Sequence, residues 1–325
     1  MNRVVQVTVL VMLAVGVVTI ILLTLISRSA DVGRTRVTVT TAHQDNDCTV
    51  TTSTPRRRFS TTDEMRYILY GAGDQSSAYD HRLIDYIRSH ISQPSMARPR
   101  QLATQKDTSQ AGQAVLVDKL LSRRRSGFFV ECGAADGEKF SNSLFFELER
   151  NWTGLLIEAN PAYHRALLDK NRRAYVLGSC LSTERRPTTV HMQPAGVLGG
   201  IVDKIHPSHL SLISATNKPQ VIVNCFPLNA IMAALDVSRV DYLSLDVEGP
   251  ELEILQTVNW TRLHIAVITV EYRILGGSIG IDQAATLQKL KDLRQFFHNT
   301  GIYREVAVLP AGDEVNGLDV VFSRF

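Results

Sequence analysis

The sequence predicts an α/β domain built on a doubly wound, mostly parallel sheet over residues 114–325, preceded by one transmembrane helix and a flexible stem. Three observations predict it. Uninterrupted apolar runs alternate with helix-like segments through the C-terminal half, as in a parallel sheet covered on both faces. Glycines and carboxylates collect where those runs end, and an uncharged apolar run fills residues 4–26.

That last run is about 23 residues long, and at about 1.5 Å per residue it exceeds the ~30 Å hydrocarbon core of a bilayer. It is apolar on every face, and Arg28 interrupts the small residues Ser27, Ser29 and Ala30, so a retained anchor over residues 1–27 is expected rather than a cleaved signal peptide. Orientation stays open at this point. Arg3 precedes the span while Arg28, Arg34 and Arg36 follow it, which by charge bias puts the large domain in the cytosol. The sequons at Asn151 and Asn259 would suit a lumenal domain, but a chain of this composition carries about two by chance.

Residues 28–62, rich in Thr, Ser, Arg and Asp, read as a stem. Residues 63–113 read as a short helix carrying Leu83, Ile84, Tyr86 and Ile87, then a second linker interrupted by Pro94 and Pro99. A chain of 325 residues, 44% hydrophobic and 21% charged, fits one globular domain plus these segments. The net charge of +3 is too small to imply a nucleic-acid partner, and the arginine runs 56–58 and 123–125 read as solvated surface. Cys48, Cys132, Cys180 and Cys225 show no CxxC and no histidine at zinc-ligand spacing, so no metal site is expected; one or two disulfides are open in an oxidising compartment.

The elements of the domain follow in order. Ala114, Leu116, Val117, Leu120 and Leu121 make an apolar helical face. Strand-like runs then recur as FFVE (128–131), GLLIE (154–158), AYVLG (174–178), DYLSLD (241–246) and IAVITVEY (265–272). A helix over 287–299 and a last strand in GLDVVFSRF complete the domain.

In such a sheet ligands bind beyond the carboxyl ends of the strands, at the point where strand order reverses. Glu131, Cys132, Gly133, Ala134, Ala135, Asp136 and Gly137 follow the first strand, and glycines there let backbone approach a ligand or pack against the sheet. Glu158 ends the second strand about twenty residues on, where an acid can accept hydrogen bonds from both ribose hydroxyls, cap the next helix or pair with Arg165. The turn lacks a full GxGxxG, which favours an adenosyl ligand without phosphates, such as S-adenosylmethionine. Asp246, Glu248 and Glu271 end the fourth and fifth strands. They are the candidates for orienting an acceptor or taking its proton, or else serve buried backbone donors there. Glu251 and Glu253 start a helix whose dipole alone can account for them.

FFVECGAADGE, GLLIEANP, DYLSLDVEGPELEIL and LDVVF together resemble the FkbM methyltransferase domain, over about residues 116–325. VDKLLSRRRSGFFVECGAADGEKFSNSLFFE and CFPLNAIMAAL resemble, more narrowly, the Star family of single-pass membrane proteins. The first resemblance implies a Rossmann-like fold and methyl transfer from S-adenosylmethionine to oxygen, with Gly133 and Gly137 in the turn, Ala134 beside it, Glu158 on the ribose and Glu131 where many methyltransferases have Asp. The second implies a lumenal domain in the endoplasmic reticulum or Golgi and a client in the secretory pathway, the precursors of EGF-type ligands, in place of a methyl acceptor. Cys132 departs from the wider methyltransferase pattern, as a buried inert thiol or a partner for Cys180 or Cys225.

Overall fold

The computed structural model describes residues 21–23, 39–41, 79–103, 108–213, 218–276, 280–310 and 313–325. The chain divides into two compact units, Met1–Glu64 and Met65–Phe325. In the first, Ile21–Leu23 pairs antiparallel with Val39–Thr41. The expected membrane helix therefore lies outside the described residues except at Ile21–Leu23, which form a short strand instead of a helical turn. Among the described residues no helix is long and apolar enough to cross a membrane.

The second unit is built on a seven-stranded sheet. Its strands are β1 (Phe128–Cys132), β2 (Thr153–Ile157), β3 (Tyr175–Leu177), β4 (Arg239–Leu245), β5 (His264–Glu271), β6 (Tyr303–Leu309) and β7 (Asp319–Arg324). Their spatial order is β3-β2-β1-β4-β5-β7-β6. Neighbours from β3 to β5 are parallel, and β7 runs antiparallel between β5 and β6. The expected mostly parallel α/β sheet is therefore present, with one reversed strand.

Successive residues of a strand face opposite sides of a sheet, and here both sides are buried. Phe129, Leu156, Tyr242 and Val267 enter one apolar cluster, and Val130, Leu155, Leu243 and Ile268 enter the other. Two-sided burial is the physical reason these strands read as unbroken apolar runs. Helices α2 (Gln113–Leu120), α3 (Leu144–Arg150) and α4 (Pro161–Lys170) cover the first face through Val117, Phe146 and Leu167. The second face is covered by α1 (His81–His90), α6 (Leu228–Ala234), α7 (Glu251–Thr257) and α8 (Gln283–Thr300). Between them in the chain lies α5 (Pro207–Ile213).

Three features depart from expectation. First, the α/β unit does not start at residue 114. Helix α1, capped by Asp80 on the Arg82 N–H, buries Leu83, Tyr86 and Ile87 in the second cluster. The expected linker after it is docked: Ser92 bridges to Val176 of β3, and the carbonyls of Ser95, Arg98 and Pro99 accept from Asn171 Nδ2. Second, β6 was not expected. It is an edge strand whose centre is exposed at Arg304, Glu305 and Val306 and is broken by a bulge between Glu305 and Ala307, so it shows no apolar run. Third, the strands 180–181, 188–193, 200–201 and 221–226 form a separate four-stranded sheet after β3. Cys180 and Cys225 face each other in its parallel pair and are joined as a disulfide, leaving Cys132 free and buried; Cys48 lies outside the described residues.

Candidate active site

Strand order reverses between β1 and β4, and the chain after both turns into one cavity beyond their carboxyl ends. Gly133, Ala134, Glu158, Asp246, Glu248 and Glu271 all line it, as does Glu131; Gly137 stands behind the turn, against Leu167 of α4. The four-stranded sheet supplies a further wall, with Cys180, Met192 and Ile201.

The turn after β1 is pinned on both sides. Gly133 and Ala134 donate to the Ile157 carbonyl at 3.0 and 3.1 Å, and Asp246 donates back to the Cys132 carbonyl at 3.2 Å. Gly133 has a φ of +81°, and a Cβ there would collide with the Asp246 carbonyl oxygen. The glycine is thus required by two loops meeting over the switch point, as well as leaving room for a ligand.

Glu158 is buried, and its carboxylate accepts backbone N–H groups, Ala135 on Oε2 and Asn160 on Oε1, both at 2.7 Å, with the Ala159 N–H acting on it as well. A carboxylate has about four acceptor sites, so acceptor capacity remains for a ribose hydroxyl. The helix-capping alternative falls to Asn160, which accepts from Ala162 N, and among the described residues no ion pair joins Glu158 to Arg165. Burial pushes the Glu158 carboxyl up to about 7, against the pull of its backbone donors.

Glu131 is held within the protein. Its Oε1 accepts from Asn142 N at 2.7 Å and its Oε2 from the Ser141 and Ser143 hydroxyls at 2.8 and 2.5 Å. Arg172, wholly buried, ties those serines to the Gly137 carbonyl and to Glu147, with Nε 2.6 Å from Glu147 Oε2. Glu131 therefore stiffens the floor of the turn. Arg172 was not anticipated; an arginine beside Arg173, in the loop ahead of β3, gives no sequence signal of burial.

Opposite the turn, Asp246, Glu248 and Glu271 bring one carboxylate oxygen each to within 4.8 Å of the others. Burial, reinforced by Asp319 and Glu251, pushes Asp246 up to about 7, against the pull of its hydrogen bond with the Glu271 carboxyl. Burial, then the neighbouring carboxylates, raises Glu248 and Glu271 as well. Glu251 does more than meet a helix dipole: its Oε1 accepts from Val247 and Gly249 N–H at 3.0 and 3.1 Å, and its Oε2 lies 2.6 Å from Lys289 Nζ. Lys289, on the buried side of α8, escaped the sequence reading because a lysine in a helix reads as solvated. Burial works against its charge, but Glu251, Glu271 and Glu248 together hold its pKa above the ordinary value. Burial and Glu131 push the Cys132 thiol far up, so it stays protonated.

The site is a cavity at the switch point of a 3-2-1-4-5-7-6 sheet, with a glycine turn and a buried acid on one side and a group of carboxylates on the other. The chain belongs to the FkbM-domain methyltransferase family, whose family model, methyltransferase FkbM domain, matches residues 131–301. No curated protein matches the chain. Among solved structures it is similar to a precorrin-6y C5,15-methyltransferase from Geobacter metallireducens (14% identity, 69% of this chain and 93% of that one, TM-score 0.34). It is also similar to a putative rRNA-methylase from Clostridium thermocellum (8% identity, 67% and 100%, TM-score 0.34). A human methyltransferase 10 domain containing protein is a third (10% identity, 71% and 89%, TM-score 0.34). Scores this low assign no activity.

Proposed function

We propose that the protein transfers a methyl group from S-adenosylmethionine to an oxygen of its acceptor while anchored to a membrane by residues 4–26. The observation that carries the reading is Glu158, buried beside the Gly133 turn with acceptor capacity left on its carboxylate and the three carboxylates across the cavity. S-adenosylmethionine, when bound, supplies a methyl group activated by a sulfonium. Glu158 would hold the ribose, and the backbone of Gly133 and Ala134 would admit the rest of the nucleoside against β1. Asp246 and Glu248 would orient an acceptor hydroxyl and take its proton as the O–CH3 bond forms, with Glu271 as the further proton acceptor behind them. Holding acceptor and donor in line supplies much of the rate, and no covalent enzyme intermediate is needed.

Transfer of tritiated methyl from S-adenosylmethionine to membrane glycans, lipids and proteins tests this. Asp246→Asn is expected to keep cofactor affinity within about twofold and to lose transfer by 100-fold or more, in line with general-base removal. Undiminished transfer by the variant would remove Asp246 from the chemistry. Cofactor binding with no transfer by the wild type to any acceptor would leave the client-binding role implied by the Star-like segments.

The compartment we propose is the lumen of the endoplasmic reticulum or Golgi. Two facts support it: the Cys180–Cys225 bridge suits an oxidising environment, and the sequon residues Asn151 and Asn259 are both exposed. Endoglycosidase treatment of the protein from secretory cells should shift its mobility; an unshifted band from a chain with both sequons intact would favour the cytosolic orientation.

A further inference from the structure

We propose that Asp246, Glu248 and Glu271 hold one hard divalent cation at the carboxyl ends of β4 and β5. Two independent observations carry this. The first is geometric: one oxygen from each side chain lies within 4.8 Å of the others, with Glu271 ending β5 and Asp246 and Glu248 in the loop between β4 and α7. Ligands on opposite sides of a calcium-sized ion, at about 2.3–2.6 Å each, sit up to about 5 Å apart, so these three oxygens are close enough together to share such an ion. A magnesium ion, with oxygens at about 2.0–2.1 Å, would need them slightly closer. An all-oxygen set with neither sulfur nor imidazole selects a hard cation.

The second observation is an unmet bonding capacity. Glu271 is 6% exposed, and its Oε2 is enclosed without a hydrogen-bond partner. Buried polar atoms in native proteins are almost always satisfied, so an enclosed oxygen without a partner in a group of three carboxyl side chains calls for a positive partner. Lys289 Nζ makes its ion pair with Glu251, 2.6 Å from Oε2, and acts on Glu271 and Glu248 through its charge. His209 Nδ1, at 3.5 Å from Glu248 Oε2, faces the cluster from α5, and burial keeps that ring toward its neutral form. Asp246 and Glu248 line the cavity, so the remaining coordination positions of the ion open toward it. There two adjacent oxygens of an acceptor, such as a vicinal diol, would complete the shell; this last point rests on the methyltransferase reading, whereas the cation site does not.

The test uses the full-length protein in detergent, stripped with EDTA and dialysed, and titrated calorimetrically with CaCl2, MnCl2 and MgCl2. One equivalent of calcium or manganese is expected, with a melting temperature raised by the ion and returned by EDTA. Glu271→Gln and Glu248→Gln should each weaken binding at least tenfold, while the exposed control Glu184→Gln should not. The Glu248 variant alters a partly exposed side chain and keeps the test intact should the Glu271 variant fold poorly. Absence of cation binding in a wild-type sample that binds S-adenosylmethionine overturns the site and leaves the methyltransferase reading standing; the Asp246–Glu271 contact is then a shared proton. Binding that survives both variants overturns the assignment to these carboxylates. Cation binding lost in the variants, in a wild type that binds no S-adenosylmethionine, supports the site and removes the methyltransferase reading.

Discussion

At the scale of single residues, Glu158 and Gly133 make separable predictions. The Glu158 carboxyl is raised by burial from the ordinary 4.5 to about 7. An acid raised in the folded state favours its protonated form there, so its ionisation opposes folding increasingly as pH climbs from about 4.5 to 7. For a ligand that needs the carboxylate, the sign reverses: binding is weakened below pH 7 and levels off above it. S-adenosylmethionine affinity should therefore fall about fivefold between pH 7 and pH 6, and Glu158→Gln should bind weakly with a flat profile. A titration series at pH 5.5–8.5 checks both, and an unchanged pH slope in the variant would place the titrating group elsewhere. Gly133→Ala should act on both halves of the site. A Cβ in a left-handed conformation, driven into the Asp246 carbonyl, is expected to cost about 1–3 kcal/mol of stability and to impair cofactor binding and transfer together. Denaturant unfolding with cofactor titration reads this; wild-type affinity would show that the two loops are not coupled.

At the scale of elements, the four-stranded sheet is a wall of the cavity held by one covalent link. Cys180 and Cys225 are 45 residues apart, and closing a loop of that length is worth about 4 kcal/mol in the chain-entropy account. The double variant Cys180→Ser/Cys225→Ser should unfold at lower temperature by a corresponding amount and bind cofactor more weakly, because Cys180 lines the cavity. Equal melting temperatures with and without reductant would mean the bridge does not constrain the unfolded chain. Helix α1 is also structural. Burying Leu83, Tyr86 and Ile87 is worth about 1.5–3 kcal/mol each, so a fragment starting at residue 104 should be several kcal/mol less stable than one starting at residue 65. Matched urea titrations of the two fragments decide it.

These elements also show what was legible in the sequence. Two-sided burial makes β1, β2, β4 and β5 largely apolar on both faces, so their apolar runs marked them, and the residues at their ends followed without further information. Edge strand β6 and the short strands of the small sheet are exposed on one side and carry Thr, His, Arg and Glu, so no apolar run marks them. The partner set was hidden for a different reason. Arg172 with Glu147, and Lys289 with Glu251, are pairs distant in sequence, and a charged side chain shows its burial only once the partner is placed. Docking of residues 79–103 was equally invisible, since Pro94 and Pro99 mark a break in helix and say nothing of packing.

At the scale of the whole molecule, sheet order, cavity and family membership meet at one place, the switch point between β1 and β4. One side of the cavity offers a buried acid and a glycine turn suited to a nucleoside, and the other offers carboxylates suited to an acceptor oxygen. The central claim is that this cavity takes S-adenosylmethionine. Calorimetric titration of the cofactor into the full-length protein at pH 7.5, under oxidising conditions, tests it most directly. The account predicts one site per chain with a micromolar dissociation constant, about 8 kcal/mol, weakened at least tenfold in Glu158→Gln. Absence of heat from a folded wild-type protein, or equal affinity in the variant, would contradict it.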